Sequence, residues 1–124
     1  MLYNHEDMQY FVRAEFVEEN IAGKPFADVM SWIEMVIHPS LEALEKGIGS
    51  RKVTGGVIAG VREGVFMLEA SSHEEVGTFL RNLPFWGAMK WTVFPIQSFK
   101  SSVEQDKASF KQARAMMSAA GSRV

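Results

Sequence analysis

The chain contains no cysteine. Disulfides, thiolate zinc sites and cysteine nucleophiles are excluded, and the composition fits a reducing, cytoplasmic setting. An excess of one charge is also missing. Thirteen basic against fifteen acidic side chains leave a formal net charge of −2, too weak a field to draw in nucleic acid or an anionic membrane. No apolar run approaches the ~20 residues of a membrane span. Residues 1–7 are polar and lack the charged-then-apolar layout of a signal peptide, so a flexible leader is expected there. His5, His38 and His73 share no metal-ligand spacing. The glycines match neither G-x-G-x-x-G nor a phosphate loop, and no Ser-His-acid signature is visible. No metal and no cofactor are expected.

What is present suffices for one domain. A chain of 124 residues, 47% apolar, can bury a single core without a staple. Residues 8–17 alternate as a strand, with Tyr10, Val12, Ala14 and Phe16 on one face and Gln9, Phe11, Arg13 and Glu15 on the other. Phe26, Met30, Ile33, Ile37, Leu41 and Leu44 recur every three or four residues, which predicts a helix over 25–47. Pro39 has no N–H and crowds the preceding turn, so a kink or break near His38 is expected. Residues 52–61 and 65–70 read as a hairpin linked through residues 62–64. Gly55, Gly56 and Gly60 mark a bulge or a close approach by another backbone or a ligand.

Ser72 and Glu75 have the spacing of a capping box, so a second helix begins there and runs to Pro84. Residues 88–96 make the last strand, and Pro95 within it argues for an edge or a bend rather than a central strand. Ser101 and Glu104 repeat the capping spacing ahead of an apolar stripe of Val103, Phe110, Ala113, Met117 and Ala120. That stripe needs a surface to pack on, its own sheet or a partner's. The domain is thus expected over residues 8–100, with a helical extension over 101–124.

The order β-α-β-β-α-β is that of an α+β, ferredoxin-like fold with a four-stranded antiparallel sheet and an extra C-terminal helix. Two helices cover one sheet face. The other face would carry Phe11, Val65, Met67, Phe94 and Ile96. Leaving such residues exposed is costly, so a homodimer with sheets face to face, or a higher oligomer, is expected.

The segment 53–96 carries VTGGVIAG, a short hairpin, GVFMLEASS, the helix HEEVGTFLRNLP, and then FWGAM before the closing strand. Leu83-Pro84 followed by Phe85-Trp86 is its core. Here the chain resembles the dimeric α+β barrel superfamily and, within it, the muconolactone isomerases, over roughly residues 8–100. The resemblance implies a dimeric barrel and a cofactor-independent enzyme that moves a proton on a small cyclic or aromatic molecule. Relatives in the superfamily include cofactor-free monooxygenases. Pro39, Trp32 and the C-terminal helix depart from the isomerase pattern, and no catalytic residue is carried over.

From the residues themselves, Glu34 and His38 lie four apart on the first helix, at the boundary of its apolar stripe. A carboxylate orienting an imidazole makes a general base; the plain alternative is a surface pair. Arg13 offers an anchor for a substrate carboxylate, and Glu69, sharing a face with Met67, a base. Either would otherwise pair or face water. Trp32, Trp86 and Tyr10 are candidates to line a pocket for a flat organic ligand, against plain packing as the alternative. A non-catalytic dimer that binds a small ligand or a protein partner is the competing reading.

Overall fold

The computed structural model describes residues 8–121; the expected leader lies outside them. Strand β1 (Met8–Phe16) is followed by a 3₁₀ turn (Glu18–Asn20). A long helical segment comes next: α1 (Phe26–Trp32), a π-helical stretch (Ile33–Ile37) and α2 (His38–Gly49). Then come β2 (Val53–Val57), β3 (Glu63–Ala70) and α3 (His73–Arg81). A second 3₁₀ turn (Trp86–Ala88), β4 (Met89–Ile96) and α4 (Phe99–Gly121) complete the described chain. The four strands form one antiparallel sheet in the order β2-β3-β1-β4. This is the ferredoxin-like α+β arrangement expected from the element order.

Strand alternation decides which side chains meet. Tyr10 stands opposite Leu68 and Pro95, and Val12 opposite Phe66 and Val93. Tyr10, Val12, Phe66 and Leu68, together with Val53, Val76, Leu80, Leu83 and Phe85, form the buried core under the helices. Each large side chain taken out of water there contributes about 1.5–3 kcal/mol. The opposite face carries Phe11, Val65 and Met67, partly buried, with Phe94 and Ile96 exposed. Both faces are apolar, as the alternation implies. β4 is an edge strand, where Pro95 costs no ladder hydrogen bond.

Pro39 acts less as a breaker than expected. It sits in the first turn of α2, and the strain is absorbed ahead of it. The His38 N–H reaches back five residues to the Ile33 carbonyl. This wider π turn relieves the clash between the proline ring and the turn before it. The helical segment continues to Gly49, two residues past the expected end.

Several local details differ from expectation, and α3 ends at Arg81, ahead of Pro84. β2 stops at Val57, because Gly60, with φ of +86°, turns the chain early. The hydroxyl of Ser72 accepts the Glu75 N–H at 3.1 Å, but the Glu75 carboxylate accepts from the Ser71 N–H rather than from Ser72. α4 begins near Ser98, whose hydroxyl accepts the Ser101 N–H at 3.0 Å, so Ser101 lies inside the helix rather than at its start.

Candidate functional site

A cavity of about 580 Å³ opens between the α1–α2 segment and the sheet. Its floor follows from small residues at two neighbouring register levels of one sheet face. Gly64 lies opposite Ala14 in β1 and Val57 in β2, and Gly55 lies opposite Phe66 on the same sheet face. Where bulky residues would otherwise reach the helices, three positions have almost no side chain. Gly55 has no alternative: at φ of +151° an added Cβ would fall 2.3 Å from the Val65 carbonyl oxygen. At Gly64 the space is open, with only the Gly56 oxygen near an added Cβ, at 3.9 Å.

The helical wall is built by Ile33, Ile37, Leu41 and Leu44, the stripe set by helical spacing. At the side, Phe16 packs against Trp32 with ring centroids 5.7 Å apart. The Arg62 guanidinium lies over the Phe16 ring, 5.5 Å from its centroid, and pairs with Glu18 at 3.5 Å. Glu42 and Glu45 are the lining carboxylates; Glu63 borders the cavity, but strand alternation sends its side chain to the opposite sheet face. Glu63 is held by Arg13, which donates to both its oxygens at 3.0 Å. The lining is otherwise apolar, the character of a site for a small organic ligand.

Among the residues singled out from sequence, Trp32 lines this cavity. Glu34 and His38 are exposed and absent from its lining, and no hydrogen bond or ion pair joins them among the described residues. Met67 and Glu69 face the other side of the sheet, opposite Phe11 and Gln9. Arg13 lies on that same face. Its guanidinium bridges Glu63 and Glu15, carboxylates that stand directly opposite each other. The hydrogen bond to Glu63, reinforced by the charge of Glu15, holds its pKa above the usual arginine value. Tyr10 is 2% exposed, and its hydroxyl meets His73 Nδ1 at 2.7 Å. It belongs to the core, and its partner His73 is tied to it rather than free at the helix start. Trp86 sits half-exposed on its turn. Arg81 stacks on its ring and its carbonyl accepts the Trp91 indole N–H at 2.8 Å.

Sequence reasoning did not single out Arg62, Glu42 and Glu45 at the cavity, nor Ser40 behind it. The glycines at 55 and 56 were the available signal. Among the described residues no cluster of three His, Asp or Glu is placed to hold a metal, and no helix is long and apolar enough to cross a membrane. Comparison with protein-family models returns no match, and neither does comparison with curated proteins.

Proposed function

We propose that this chain binds a small, largely apolar organic molecule in the cavity beneath α1 and α2, without a cofactor, and that it works as a homodimer closed over the open sheet face. The observation that carries the binding reading is the unfilled floor at Ala14, Gly55 and Gly64. Protein interiors are normally close-packed. An apolar opening of about 580 Å³ falls within the ~300–1,000 Å³ typical of ligand pockets. The dimer reading rests on Phe94 and Ile96, exposed beside Phe11, Val65 and Met67. Isomerase-like proton transfer, implied by the resemblance, needs a base at the ligand. Glu34 and His38 stand outside the cavity, so binding is the step the geometry supports.

Titration with 8-anilinonaphthalene-1-sulfonate tests this, read by probe emission. Saturable binding at one site per chain is expected. Gly64→Val should weaken it at least tenfold with the circular dichroism spectrum unchanged, since the new side chain enters open cavity space. Equal binding by the variant would refute the site. Muconolactone supplied in the same assay tests the resemblance, and conversion to the enol-lactone would restore the isomerase reading.

A further inference from the structure

Helix α4 is 23 residues long and none of its residues is buried. Phe99, Phe110 and Met117 are 93%, 66% and 72% exposed. Its first turns are held by bonds local to its root. Ser98 caps it, and the Gln97 side-chain amide donates to Ser101 Oγ at 3.0 Å and to Gln105 Oε1 at 2.8 Å. A helix this apolar on one side gains most of its stability by packing.

At 100° per residue, Val103, Phe110 and Met117 form one line along α4. Its four cations, Lys100, Lys107, Lys111 and Arg114, all fall in a sector about 40–100° to one side of that line. Arg114 already lies over the Phe110 ring at 5.6 Å. The helix carries four cations against two anions, whereas residues 8–98 carry eight cations against eleven anions. The surface that complements it is an apolar groove with an acidic border.

The cavity mouth has that character. Leu41, Ile48, Val57 and Val61 line it and are exposed. Glu42 and Glu45, one helical turn apart, stand beside them, and no ion pair engages either among the described residues. The chain's own α4 is badly placed to use it. β4 is the edge opposite β2, and its last residue, Ile96, pairs with Gln9. The cavity floor lies at Ala14, five residues along β1 (about 17 Å) from Gln9 and toward the far edge. α4 therefore leaves from the corner diagonal to the mouth.

We propose that α4 of a second copy of this chain lies across the mouth and completes the ligand site in trans. Phe110 and Met117 cover the apolar opening, and Lys107, Lys111 and Arg114 face Glu42 and Glu45. The proposal rests on the cavity being a binding site, since a roof has meaning only over one.

Because the chain has no cysteine, single engineered thiols report proximity without background. Full-length Leu41→Cys and Ala113→Cys proteins are mixed and oxidised. The mixture is expected to give at least five times more disulfide-linked dimer than Ala113→Cys mixed with Glu74→Cys, whose thiol lies on α3. Lys107→Glu with Arg114→Glu in the Ala113→Cys copy should lower the yield at least fivefold. Glu42→Lys with Glu45→Lys in the other copy should restore it. Equal yields in the two mixtures, or a higher yield from Ala113→Cys alone through α4 pairing with α4, would overturn the proposal. Probe titration separates the two readings. Trapping without probe binding leaves the docking and removes the ligand site; probe binding without trapping does the reverse.

Discussion

The hydroxyl of Ser40 accepts the backbone N–H of Phe85 at 2.9 Å while donating to the Val36 carbonyl at 2.8 Å. Ser40 is fully buried. This one side chain ties the helical wall of the cavity to the turn that precedes β4. Ser40→Ala leaves a buried amide without its acceptor, at a cost of about 1–3 kcal/mol. Thermal unfolding should show a clear loss of Tm. An unchanged Tm would mean that water or a shifted backbone replaces the bond.

Gly47 and Gly64 offer a matched comparison. A Cβ at Gly47 would lie 2.6 Å from Val53 Cγ2, in a side chain that is buried and stiff. Gly47→Ala should destabilise by about 1–3 kcal/mol through overpacking. Gly64→Ala meets open space and should leave stability nearly unchanged or raised. Denaturant midpoints for the two variants settle the contrast, and similar losses in both would contradict it.

Glu75 links stability to pH. The Ser71 backbone N–H, then Lys52 at 3.3 Å, hold its carboxylate below the usual pKa. A depressed folded pKa means that the stabilisation is present above the unfolded value near ~4.3. It is lost as pH falls through the lower folded value. The side chain is 39% exposed, so the contribution is modest, about 1 kcal/mol or less. Glu75→Gln should lower Tm at pH 7, and the difference from the parent should vanish in acid. A difference that persists at pH 2 would locate the effect elsewhere.

Phe94 is 55% exposed on the uncovered sheet face. If a second copy covers that face, Phe94→Glu places a charge on it beside Phe11 and should weaken self-association at least tenfold. Sedimentation equilibrium reads this directly, and an unaltered association constant would remove the sheet face from the interface.

The sequence made much of the scaffold legible. Two-residue alternation in β1 assigned Tyr10 and Val12 to one face and Phe11 and Arg13 to the other, since a pleated strand leaves no other choice. Pro95 argued against a central strand, and β4 is an edge. The site was harder. Glu34 and His38 were placed on a regular α-helical wheel, but residues 33–37 wind as a π-helix, which changes the phase between α1 and α2. Gly55, Gly64 and Ala14 are far apart in the chain, and only strand pairing brings them to one floor. Arg13, Glu63 and Glu15 form a cross-strand cluster for the same reason. No local pattern reports on pairing of that kind.

The π-helical turn at Ile33–Ile37 also makes the site a matter of chain length. It takes up one residue beyond what a plain α-helix would hold over the same rise. Deleting one residue within that turn would leave a plain α-helix whose two ends keep nearly their present phase, because the wider turn absorbs the extra residue. A deletion elsewhere between Trp32 and Leu41, with no wider turn to absorb it, would turn α1 by about 100° relative to α2. Trp32 would then swing off the cavity wall while every lining residue kept its identity. Among chains descended from a common ancestor, a one-residue gap within the π turn would preserve the cavity, whereas the same gap elsewhere along this wall would remove it.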